Sequence, residues 1–156
     1  MKKTVIVLSV FGLIMSLCGF GFAAEQATTK TTTTAMSDAV RSQLVEKAKQ
    51  TLSSQEWTIY MPITVGKKTI SETDVFTFAN GKISSKNLTA QGYKESNVNI
   101  GVQDDGTAVW ETMQVDANNN LAFIRGELSG TSMKGVISKQ PVKGNKATYK
   151  FSTSAS

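Results

Sequence analysis

Residues 107–138 read TAVWETMQVDANNNLAFIRGELSGTSMKGVIS. Apolar and polar residues alternate from Thr107 to Val115 and again from Leu121 to Leu128, the period of a strand with one face buried. The stretch between them, Asp116 to Asn120, is turn chemistry, because Asp and Asn side chains bond their own backbone and tolerate left-handed conformations. A further turn at Ser129 to Ser132 leads into a third run from Met133 to Ser138. The segment therefore predicts three antiparallel strands joined by two hairpins. Centring the first loop on Asn118 sets Trp110 opposite Gly126 and Glu111 opposite Arg125, and the next hairpin brings Gly126 near Gly135. An indole lying across side-chain-free positions on neighbouring strands covers exposed backbone and pins the register.

The same character extends outward from this segment. From Gln55 onward, short β-branched and aromatic runs alternate with turn signals at roughly ten-residue spacing. Further strands are expected over Trp57 to Ile63, Thr73 to Ala79, Lys82 to Ser85, Asn97 to Val102 and Ala147 to Ser152. Asn80 and Gly81 suit a type I′ turn, and Asp104, Asp105 and Gly106 a longer one. Pro62 and Pro141 fall near strand or loop ends, where a missing N–H does little harm. Neighbouring hairpins form a meander, and about eight such strands close on themselves. The expected fold class is all-β: an eight-stranded antiparallel up-and-down barrel over residues 55–154, preceded by one N-terminal α-helix over residues 37–54.

That helix is read from Ser37 as N-cap, Asp38 in the first turn, and Val40, Leu44, Ala48 and Leu52 at intervals of four. Its apolar stripe is narrow, so it is expected to lie against a larger body, with Glu46 and Lys49 paired on the wet side. Residues 24–36 form a threonine-rich polar tract with nothing to bury, read as a disordered linker. Before it, Lys2 and Lys3, an apolar run from Val5 to Cys18 and small residues at Gly21 and Ala23 spell a secretory signal peptide over residues 1–23. The expected location is periplasmic or extracellular, with a membrane contact if that segment is kept as an anchor.

Cleavage removes Lys2, Lys3 and Cys18, the single cysteine. Of 17 basic residues 15 then remain, against 12 acidic ones, for a net charge of +3. The chain has no histidine. The usual general base near neutral pH, the usual zinc ligand and all thiol chemistry are thereby excluded from the mature chain. No catalytic residue, metal ligand or cofactor is assigned, and an enzyme is not expected.

Two constellations resemble sites and read more simply as structure. Glu111, Arg125 and Glu127 have the composition of a paired-carboxylate site, yet on adjacent strands such residues are expected to make a cross-strand ion pair, worth little where exposed. Asp116, Asn118, Asn120 and Glu127 match calcium-loop positions one, three, five and twelve, but Leu121 occupies the sixth position, where the loop needs glycine. Trp57, Ile59, Phe76, Phe78, Val98 and Ile100 have the spacing of inward positions. With Trp110 they are the candidate lining of a small-ligand pocket, or else they fill the barrel themselves. Charge is uneven: Glu95 to Glu127 carries six acids against Arg125, and beyond it come Lys134, Lys139, Lys143, Lys146 and Lys150 with no acid. These lysines are a candidate face for an anionic polymer, or they blunt exposed strands.

The Trp57 opening, the hairpin Phe76, Thr77, Phe78, Ala79, Asn80, Gly81, Lys82 and the meander after it resemble small exported bacterial barrels of lipocalin-like type. Gln55 stands where lipocalins usually carry glycine two places before that tryptophan. The resemblance implies a ligand in the barrel interior. Two functional readings follow. One is a non-catalytic module binding a small apolar or amphipathic molecule. The other is an envelope protein contacting another protein or an anionic polymer through its helix and its lysines. Export argues against nucleic acid.

Overall fold

The computed structural model describes residues 36–154. The expected signal segment, and the linker up to residue 35, lie outside the described residues. The first element is α1 (Asp38–Ser53). The Ser37 hydroxyl caps it by accepting from the Val40 N–H at 3.4 Å. Ala48 and Leu52 are buried while Val40 is 45% exposed, so the helix seats its C-terminal half and not its whole stripe. Arg41 holds the other half by donating to the Val102 carbonyl and to Asp104 at 2.8 Å. Lys49 meets Glu46 at 3.5 Å on the wet side, as the spacing predicts.

The strands are β1 (Trp57–Val65), β2 (Lys68–Ala79), β3 (Lys82–Ser85), β4 (Ser96–Asn97), β5 (Asn99–Val102), β6 (Ala108–Val115), β7 (Leu121–Ser129), β8 (Ser132–Gln140) and β9 (Ala147–Ser152). A short helix that the sequence reading did not expect, α2 (Lys86–Ala90), follows β3. All pairings are antiparallel, in the order β4-β3-β2-β1-β9-β8-β7-β6-β5. The two outermost strands of that order, β4 and β5, are separated in the chain by Val98 alone. The sheet therefore curls back on itself into a nearly closed barrel.

The expected count of eight strands is corrected to nine, for a reason visible at Val98. The single strand expected over Asn97 to Val102 changes neighbours midway. Asn97 pairs with Lys82 on β3, while Asn99 pairs with Glu111 on β6. Val98 is an extra residue between the two registers, and its N–H bonds the Gly81 carbonyl at 2.9 Å. Side chains continue the seam where the ladder stops. Thr112 of β6 donates to the Asn97 carbonyl at 2.7 Å and lies 2.6 Å from the Ser96 hydroxyl.

The central meander has the register read from its turn. Trp110 faces Gly126, Glu111 faces Arg125, and Gly126 faces Gly135. The glycines divide their roles differently from the expectation of one ring over both. A side chain at Gly126 would strike the Trp110 indole, whereas one at Gly135 would meet the Phe151 ring and the Arg125 carbonyl. Two flat positions thus admit two rings. Phe76 packs edge-on against both, at centroid distances of 5.9 Å to Trp110 and 5.3 Å to Phe151, and Phe78 meets Trp110 at 5.0 Å. Each such pair contributes roughly 0.5–1.5 kcal/mol beyond its burial.

The cluster also explains a polar orphan. Trp110 Nε1 and Gln114 Oε1 are buried with no hydrogen-bond partner among the described residues. An unmet group costs about 1–3 kcal/mol. An indole burying on the order of 150–250 Å2 contributes about 4–6 kcal/mol, which outweighs it for Trp110.

Candidate functional site

Antiparallel strands put the end of β7 and the end of β8 at opposite mouths of the barrel. The mouth at Leu128 and Ala108 lies under α1, whose Leu44, Ala48 and Thr51 border the same recess. Trp57 ties that end shut by donating its indole N–H to the Leu52 carbonyl at 2.9 Å. The other mouth is where the wall opens. β1 and β9 pair at Tyr60 with Ser152 and nowhere else along their lengths, although β1 continues to Val65 and β9 begins at Ala147. Between the diverging strands and α2 lies a cleft of about 230 Å3.

Its apolar wall is Met61, Ile63, Leu88 and Ile137, and its polar wall is Glu72, Asp74, Asn87, Gln91, Lys139 and Tyr149. Asp74 is a framework group. Although buried, it accepts from the Val75 N–H at 2.7 Å, the Asn87 N–H at 2.9 Å and the Ser85 hydroxyl at 2.5 Å. Ser85 in turn caps α2 by accepting from the Leu88 N–H at 3.0 Å. This relay fixes the short helix across the mouth and leaves Asp74 little capacity for a ligand.

Lys139 is the group with capacity to spare. It donates to the Gln91 side-chain oxygen at 2.8 Å and stands 5.7 Å from the Tyr149 ring centre. Burial pushes its amine below the usual lysine range, against the opposing pull of Glu72 and Asp74. One bond to Gln91 leaves ammonium donors free to reach into the cleft. Glu72 is exposed at the rim, with Asn87 Nδ2 at 3.3 Å. The cleft thus presents a cation, a rim carboxylate and a short apolar wall within one opening.

None of the candidate lining residues borders this cleft. Trp57, Ile59, Phe76, Phe78 and Trp110 come together as expected, each no more than 5% exposed, but they pack against one another as core. Val98 and Ile100 are half-buried against that core. Nor do the five late lysines form one face. Lys134 and Lys150 point outward, Lys134 pairs with Glu127 at 3.3 Å, and Lys143 and Lys146 sit in the loop between β8 and β9. Lys139 turns inward. Its position continues the parity of Met133, Gly135 and Ile137, and Asp74 continues that of Phe76 and Phe78, so alternation was the signal that could have found both.

The loop carboxylate Asp116 is engaged by its own turn, accepting from the Asn118 and Asn120 N–H groups, both at 2.8 Å, and from Asn120 Nδ2 at 2.7 Å. Glu127 stands at the far end of β7, away from that loop. Compared with known proteins, the chain matches no family model, no curated protein and no solved structure.

Proposed function

We propose that this is an exported, non-catalytic binding module of lipocalin-like type that holds a small amphipathic molecule at the open mouth of its barrel, in the periplasm or outside the cell. The observation that carries the reading is the cleft itself, where Lys139 is drawn out of water beside an apolar wall while Asp74 and Ser85 hold α2 over the opening. Its volume is below the roughly 300–1,000 Å3 of drug-sized pockets, so the occupant is a small metabolite. The chemistry selects a molecule with an anionic or acceptor group for Lys139, a cationic or donor group for Glu72, and a short apolar part for Ile137, Met61 and Leu88. The signal segment read from Lys2, Lys3 and Val5 to Cys18 supports the compartment.

The alternative of an envelope protein contacting a polymer through α1 and the lysines draws less support. α1 spends its buried residues on its own barrel, and Lys134 and Lys139 have partners within the chain. Native mass spectrometry of protein purified from its own host tests the proposal, run beside Ile137→Trp, which fills the cleft. A small adduct on the wild type that is lost from a folded Ile137→Trp is the expected result. An adduct retained equally by both, or a wild type that carries none and shows no heat of binding with small zwitterions, overturns it.

A further inference from the structure

The outer face of the central hairpin is apolar where a solvated strand face is ordinarily polar. Met113 on β6 and Phe123 on β7 stand directly opposite each other, 55% and 39% exposed. Val115 and Leu121 form the next outward pair, half-buried. Their inward neighbours Thr112, Gln114, Ala122 and Ile124 are buried, so the outward set is not a continuation of the core. Val142, 64% exposed, is held beside the patch by its N–H bond to Asn120 Oδ1 at 2.9 Å. Glu111 and Arg125 are also opposite each other on this face, and neither makes an ion pair among the described residues.

We propose that this face is the contact between two copies of the chain, related by a two-fold axis that runs along the strands between β6 and β7. The face is self-complementary. Such an axis lays every residue of β6 over the copy of its own cross-strand neighbour on β7. Met113 then meets the partner's Phe123, Val115 meets the partner's Leu121, and Glu111 meets the partner's Arg125, each twice. A polyanion or a polycation would match one of those two charges and be repelled by the other; a second copy matches both. Two convex barrels touch along a strip about two strands wide, less than the roughly 800 Å2 per partner of a standard interface, so the dimer is weak and concentration-dependent. None of the residues of this face lines the cleft.

Sedimentation velocity of the purified chain from micromolar to millimolar concentration tests it, with circular dichroism confirming that each variant is folded. The wild type should pass from monomer to dimer. Phe123→Glu should weaken the association at least about tenfold. Arg125→Glu should weaken it as well, and adding Glu111→Arg should return it to within a few-fold of wild type, because the exchanged charges again face each other. A wild type that stays monomeric throughout, a dimer indifferent to Phe123→Glu, or a charge exchange that restores nothing overturns the proposal.

Discussion

Replacing Gly126 by alanine should destabilise this barrel, even though the same change in a strand usually helps. Removing a glycine restricts the unfolded chain and stabilises by about 0.4–1 kcal/mol where the native conformation allows it. At Gly126, however, the new methyl would stand 2.5 Å from Cζ2 and 2.6 Å from Nε1 of Trp110. Carbon atoms prefer about 3.5–4.0 Å, so the indole must retreat by about 1 Å. It has little room, because Phe76, Phe78 and Phe151 surround it at centroid distances of 5.9, 5.0 and 6.3 Å. Overpacking of this kind costs about 1–3 kcal/mol and exceeds the entropic gain, for a net loss of about 0.5–2.5 kcal/mol. In a domain of this size that lowers Tm by about 3–5 °C per kcal/mol.

Urea unfolding followed by tryptophan fluorescence and near-ultraviolet circular dichroism measures the loss. Gly101→Ala is the control. Its methyl would lie 3.7 Å from Val109 Cγ2, an ordinary contact, and the change should be neutral or slightly stabilising. On a Trp110→Leu background the clash with the ring disappears, and Gly126→Ala should then cost nothing further. Stabilisation of the wild type by Gly126→Ala, or an equal cost with and without the indole, refutes the reasoning.

Three other outcomes follow from the same structure. Asp74→Ala strips partners from the Asn87 N–H and the Ser85 hydroxyl and should cost about 1–3 kcal/mol per group left unmet, with α2 amides losing hydrogen-exchange protection before the barrel strands do. Trp57→Phe keeps one aromatic ring but removes the pyrrole half of the buried indole and its bond to the Leu52 carbonyl. It should cost about 0.5–1.5 kcal/mol for the bond plus the packing lost with the smaller ring, and it should speed exchange at the C-terminal turn of α1; unchanged exchange there would refute the latch. Burial pushes the Asp116 carboxyl up, but bonds from the Asn120 side chain and the Asn120 and Asn118 N–H groups outweigh it and hold the group below its ordinary 3.8. Below that value the unfolded chain takes up the proton first, so stability should fall with pH until the folded carboxyl has titrated. Asp116→Asn should flatten that limb in urea midpoints measured across the acid range.

Much of the hairpin geometry was legible because it is local. The Asp116 to Asn120 turn and the alternation on either side of it determine which residues face each other, and Trp110 opposite Gly126 follows from counting. Ser37 announces α1 for the same reason, since a cap acts within one turn. The extension of β2 back to Lys68 was not legible, because residues such as Lys68, Ser71 and Glu72 are exposed in the observed strand and show no buried face to alternate with.

The candidate site was the least legible part, since no single segment contains it. Chain-local chemistry by itself determined most of the strands, their partners within hairpins, the inward parity of the aromatic rings and the absence of histidine. Tertiary closure decided the rest. Curling the meander into a ring required one residue, Val98, to be left out of register so that its strand could change neighbours. Phe76, Phe78, Trp110 and Phe151 fill the centre, and the divergence of β1 from β9 opens a cleft at one mouth. Lys139 shows the difference most plainly. Its lysine neighbours along the chain suggest a solvated surface, but alternation turns it inward, and only the packed barrel supplies the Gln91, Tyr149 and Ile137 that surround it there.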